Sequence, residues 1–205
     1  MLDPRKPRRS PAPGERQRDP ERTKARILEA AKAEFGAKGF AAARVGDIAD
    51  GAGVNKQLIS YYFGGKEGLY AELTAANMRR NVSLSDPDQP LDAVVREFVK
   101  ANAADPGMAR MFLWENFADE TDEGAEAQQE FMRGQVDYMR ARQAAGDFPA
   151  DLDAGHLLLM LISAASAPLA FHRVAKAISG QDPASEDFIE AYAEQLSRLL
   201  QHLRR

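Results

Sequence analysis

In the stretch 45–70, VGDIADGAGVNKQLISYYFGGKEGLY, the side chains with chemistry to offer are Lys56, Gln57, Tyr61, Tyr62 and Lys66. They supply hydrogen bonds, rings and positive charge, but no nucleophile and no metal-ligand pair. That set suits a polyanion with readable edges. Gln57 can pair bidentately with adenine, and Lys56 can donate to guanine or to phosphate. The Tyr61 ring can press on a thymine methyl or on the sugar-phosphate edge, and the Tyr62 hydroxyl can donate to phosphate. Lys66 opens a further helix, where free backbone amides and the helix dipole also favour a phosphate.

These side chains need a particular frame. Residues 45–51 form a short helix with Val45, Ile48 and Ala49 inward, and Ala49 is small enough for a close helix crossing. Gly51-Ala52-Gly53 makes the turn, with at least one glycine able to take positive φ cheaply. Val54 plugs the angle between helices. Asn55 caps a second helix over 55–63, with Leu58, Ile59 and Tyr62 available for packing. Gly64-Gly65 breaks the chain, and 66 to about 78 is helical again. The order helix, glycine turn, polar-aromatic helix is that of a helix-turn-helix whose second helix enters the major groove. Upstream, Ile27, Ala30, Ala31, Glu34 and Phe35 follow helical spacing over 21–38, with Pro20 at the start and Gly39 as the stop.

The 205-residue chain carries a net charge of −4, which hides an asymmetry. Residues 1–80 hold 16 Lys/Arg against 10 Asp/Glu, whereas 81–205 hold 11 against 21, so only the first part suits an anionic partner. Residues 1–20, with five prolines among six Lys/Arg, read as a disordered basic arm. With no cysteine, disulfides, thiolate zinc sites and cysteine nucleophiles are excluded together. His156, His172 and His202 are too scattered for a catalytic metal, and no cofactor motif is present. The acidic run Asp119, Glu120, Asp122 and Glu123 reads as a solvated loop. No serine elbow or phosphate loop supports an enzyme. There is no apolar run long enough to span a membrane and no secretory leader, so the simplest location is cytoplasmic.

After a break at 83–90 the pattern is helical to the end, and the expected fold is all-α: a helix-turn-helix domain over 21–80 and a helical domain over 81–205. Met111, Trp114, Phe117, Phe131, Tyr138 and Met160 are candidates to line an adaptable apolar cavity. The span 151–179 reads as one long apolar helix that Pro168 must kink or split.

The chain resembles the TetR-type (tetracycline-repressor-like) bacterial regulators over residues 22–73. The resemblance rests on Ile27, Ala30, Phe35, Gly39-Phe40, Val45, Asp47-Ile48-Ala49, Ala52-Gly53-Val54, Leu58, Tyr62-Phe63, Lys66-Glu67 and Leu69. It implies a three-helix DNA-binding domain joined to a helical ligand-binding and dimerisation domain. It also implies a homodimer on double-stranded DNA with two half-sites, and a repressor released by a small-molecule effector, here apolar or aromatic. Carried over by position, Lys56, Gln57, Leu58, Ser60 and Tyr61 face bases, and Tyr62 and Lys66 face phosphate. The dimer face falls on the last long helices, at Ala165, Leu169, Phe188, Tyr192, Leu196 and Leu199. The chain departs from the family before the first motif helix, where Ala43-Arg44 replaces a capping Ser or Thr; Arg44 can still reach phosphate.

Overall fold

The computed structural model describes residues 13–117 and 125–204; the acidic run at 119–123 and the first twelve residues of the expected basic arm lie outside them. The described residues form ten α-helices and no strand. The elements are α1 (Pro13–Ala42), α2 (Val45–Ala52), α3 (Lys56–Phe63), α4 (Lys66–Leu84), α5 (Leu91–Ala104), α6 (Pro106–Glu115), α7 (Ala125–Ala144), α8 (Ala154–Ala170), α9 (His172–Ser179) and α10 (Glu186–Leu203).

Two apolar cores organise them. Ile27 and Phe35 of α1, Ile48 of α2, Ile59 of α3 and Leu69 of α4 are fully buried together, with Met111 of α6 completing the group. The larger core gathers Val95 and Val99 of α5, Met139 of α7, Leu157 and Leu161 of α8, and Ala193 and Leu196 of α10. α6 joins the two.

Three elements differ from the sequence reading. Helix α1 begins at Pro13 rather than after Pro20, so the last eight residues of the expected arm are helical. A proline at the first helical position has no amide bond to lose. One in the interior removes a single bond and crowds one carbonyl, which bends a helix without ending it. Gly39, whose φ of 73° is left-handed, kinks the helix at the expected stop, and α1 continues to Ala42.

Helix α4 runs unbroken to Leu84, past the end expected near residue 78, so the expected boundary at 80/81 falls inside it.

The long helix expected over 151–179 is two helices meeting at 79°. The break is at Phe171, three residues beyond Pro168, which stays inside α8. Pro168 leaves the carbonyl of Ala164 without its usual amide donor, and the Tyr192 hydroxyl of α10 donates to that oxygen at 2.8 Å. With the freed carbonyl satisfied, α8 continues past the proline. No single described helix is long and apolar enough to cross a membrane.

Candidate nucleic-acid interface and apolar cavity

The helix-turn-helix is built as its residues dictate. Asn55 caps α3, its Oδ1 accepting from the Gln57 amide at 2.9 Å. Gly53 closes α2 with a left-handed φ of 62°. The Arg26 guanidinium of α1 donates to the Ala52 carbonyl and, at 3.3 Å, to that of Gly53, so the turn is held from outside as well. At the other end of α2, Arg44 stands at the N-cap and makes no side-chain cap bond. Its own amide is instead taken by Glu34 at 3.2 Å. Lys38 bridges Glu34 at 2.8 Å and Asp47 at 2.9 Å, pinning α2 to α1. That hydrogen bond keeps the exposed Asp47 carboxyl below its ordinary pKa.

With Ile59 buried beneath, α3 turns Lys56, Gln57, Ser60 and Tyr61 outward. The pairs 56/60 and 57/61 have i,i+4 spacing and share one face. Tyr61 is 80% exposed, which is unusual for a large ring in a folded chain. Arg44 is also exposed. Leu58, by contrast, is half-buried against the domain core. Tyr62 packs edge-on to Tyr61, with the Lys24 ammonium 5.7 Å from its ring centre. The Lys66 ammonium lies 4.5 Å from the Phe40 ring centre and donates to the Ala41 carbonyl at 3.3 Å, so it is held at the surface where α1 ends.

Behind this face, α6 crosses α1 closely. A Cβ on Gly36 would sit 2.7 Å from the Gly107 carbonyl oxygen. The crossing is fastened by Lys32 to Asp105 at 3.0 Å and by the Trp114 indole to the Gly36 carbonyl at 3.2 Å. The Trp114 ring also covers Gly39. At the end of α6, Glu115 accepts from the Tyr70 hydroxyl at 2.8 Å and from Thr74 at 3.3 Å, both on α4. Burial raises the Glu115 carboxyl above its ordinary pKa despite these bonds, and burial beside Glu115 raises the Tyr70 phenol.

The larger domain holds a cavity of about 100 Å³. Its walls come from α4, α5, α6, α7 and α8. Of the six sequence candidates, Phe131 and Tyr138 line it, with the Tyr138 hydroxyl donating to the Asp86 carbonyl at 3.3 Å. The other four lie elsewhere. Met111 is buried in the first core, Trp114 faces α1, and Phe117 and Met160 are exposed. The apolar residues of α6 divide between two neighbours, so Ala109 and Phe112 meet the cavity while Met111 and Trp114 turn to the helix-turn-helix domain. Sequence reasoning missed Asn77, Arg80 and Asn102, which line the cavity as polar residues. Their one signal was position, on helix faces that also carry buried apolar residues.

The candidates for a dimer face divide as well. Ala165 and Leu196 are buried within the chain, and Ala165 lines the cavity. Leu169, Phe188 and Tyr192 are half-buried, and Leu199 is 59% exposed. Six of the ten large apolar side chains exposed among the described residues fall on or between α8 and α10: Leu159, Met160, Phe171, Val174, Ile178 and Leu199.

This architecture has known relatives. Residues 27–73 match the bacterial regulatory proteins of the tetR family, and residues 91–198 match the tetracyclin repressor-like C-terminal domain. The HTH-type transcriptional repressor SCO4008 of Streptomyces coelicolor is 34% identical over 175 residues, covering 83% of this chain and 90% of that protein. The HTH-type transcriptional repressor NicS of Pseudomonas putida is 28% identical over 163 residues, covering 73% and 77%. The transcriptional regulator SCO4942 of Streptomyces coelicolor superposes with a TM-score of 0.70 at 25% identity, over 89% of this chain and 99% of that one. A helix-turn-helix head, a helical body and matches across both place this chain in the TetR family of bacterial transcriptional regulators.

Proposed function

We propose that the chain is a homodimeric repressor that binds double-stranded DNA carrying two half-sites and is released by an apolar or aromatic small molecule. The observation that carries the reading is the outward face of α3, where Lys56, Gln57, Ser60 and Tyr61 stand together over a fully buried Ile59. On this reading those four side chains and the edge of Leu58 meet bases, while Arg44, Tyr62 and Lys66 meet phosphates. The repressor assignment follows the two repressors it resembles, SCO4008 and NicS. Work on DNA places the protein in the cytoplasm and away from any membrane.

The cavity is the effector site. Helix α4 has Lys66 at its DNA-side end and Arg80 in the cavity wall, about 21 Å apart along a helix. Helix α6 touches the cavity through Phe112 and the head through Met111 and Trp114. A ligand that fits only one placing of α4 and α6 therefore favours one spacing of the two α3 helices in a dimer. A mobility-shift assay on the DNA upstream of the protein's own gene tests the proposal. Sequence-selective, salt-sensitive binding is expected, and binding that ignores sequence at physiological salt would overturn it.

A further inference from the structure

Most of the cavity wall is apolar, from Val94 and Phe98 of α5 to Phe131 and Met139 of α7 and Leu161 of α8. One side is not. There α4 presents Asn77, Arg80 and Asn81, and α5 presents Asn102. The Arg80 Nη2 donates to Asn102 Oδ1 at 3.2 Å and lies 3.5 Å from Asn81 Oδ1. Its Nε and Nη1 are shut off from solvent and have no hydrogen-bond partner, and the same holds for Oδ1 of Asn77, a residue only 9% exposed. Among the described residues no carboxylate forms an ion pair with Arg80. The acid whose charge it feels, Asp105, is already bound by Lys32 at 3.0 Å and by the Met108 amide at 3.2 Å.

A guanidinium does not discharge by losing its proton under ordinary conditions. A half-buried arginine with two idle, solvent-shielded nitrogens is therefore a charge waiting for a counter-ion, and an apolar cavity beside it is the place from which one can come. We infer that the cavity takes a small carboxylate with an apolar body, its carboxylate on Arg80 and its body among the side chains of α5, α7 and α8. Asn77 sits one helical turn before Arg80 on α4 and can meet the head only through its Nδ2 amide, because its idle Oδ1, like a carboxylate, is an acceptor. A shallow groove lined by Val82, Glu130 and Gly134 shares Ser85, Phe131, Gln135 and Tyr138 with the cavity and adjoins it at the surface. The inference deepens the effector-site reading and rests on it.

The test is calorimetric titration of the full chain with benzoate and octanoate, each against its uncharged primary amide. At least one carboxylate should bind at least tenfold more tightly than its amide. Arg80→Met should abolish the preference of that carboxylate over its amide, and Arg80→Lys should restore part of it. The wild-type comparison needs no variant, so it stands even where a substitution unfolds the protein. Amides binding as well as the acids, or a preference that survives Arg80→Met, overturns the anionic head but leaves an occupied cavity. Failure of all four compounds overturns the carboxylate and counts against the cavity as an effector site.

Discussion

At the scale of single residues, Gln57 and Tyr61 are the side chains whose removal is most informative. Both are exposed on α3, outside the cores that stabilise the domain, so truncation should spare the fold. Replacing either with Ala is expected to cost about 1–3 kcal/mol of operator affinity. For Gln57 the loss should fall on one base position, measured by titration of operators altered one base pair at a time. Glu115 makes a different prediction. Its folded pKa lies above the 4.5 of an ordinary glutamate because burial opposes its charge. The folded state therefore holds a proton that the unfolded chain has lost. Its contribution to stability is fully present below pH 4.5 and is lost as pH rises through the raised folded value. Glu115→Gln keeps an acceptor for Tyr70 and Thr74 and removes the charge. Its Tm should exceed that of the wild type at neutral pH, and the gap should close toward pH 4.5. A constant gap across that range would mean that Glu115 keeps its ordinary pKa.

At the scale of elements, the decisive contact is the crossing of α1 and α6. Two glycines, Gly36 and Gly107, let the backbones approach until a Cβ on the first would lie 2.7 Å from the second's carbonyl. Backbone cannot yield as a flexible side chain can, so Gly36→Ala must push the helices apart. Overpacking of this kind costs about 1–3 kcal/mol. The midpoint of urea unfolding should fall accordingly, while the α3 variants leave it unchanged. Nothing in the sequence marks Gly36 as special, because its partner is 71 positions away. The same limit explains what was and was not legible. The motif over 45–63 is local: Asn55 capping α3, the left-handed Gly53 and the inward Ile48 and Ile59 all follow from neighbours within a few residues. The cavity is not local. Met111 and Trp114 looked like wall residues because richness in large apolar groups does not say which of two cores a helix face meets. Arg80 was invisible for the opposite reason, since a charged residue on a helix ordinarily faces water. Pro168 advertised a break, but the Tyr192 hydroxyl that lets α8 pass it comes from another helix.

At the scale of the whole molecule, α8, α9 and α10 leave large apolar side chains exposed. Leu159 is 62% exposed and Leu199 59%, and exposed large apolar side chains of this kind suit the pairing of two copies that the proposed homodimer requires. If two copies pair there, each copy carries one α3 head, and DNA with two half-sites binds both heads at once. The second head then binds at the high effective concentration set by the first, an advantage of about 10²–10⁴ in affinity. Leu199→Glu places a charge on that surface without touching the cores, the cavity or α3. Sedimentation should show a monomer, and operator affinity at low protein concentration should fall by at least about 100-fold. Salt gives an independent check. The slope of log affinity against log salt scales with the number of phosphates neutralised, so a single head should show about half the slope of the pair. A variant that becomes monomeric yet keeps the wild-type affinity and slope would mean that one head suffices, and the two-half-site operator would have to be abandoned.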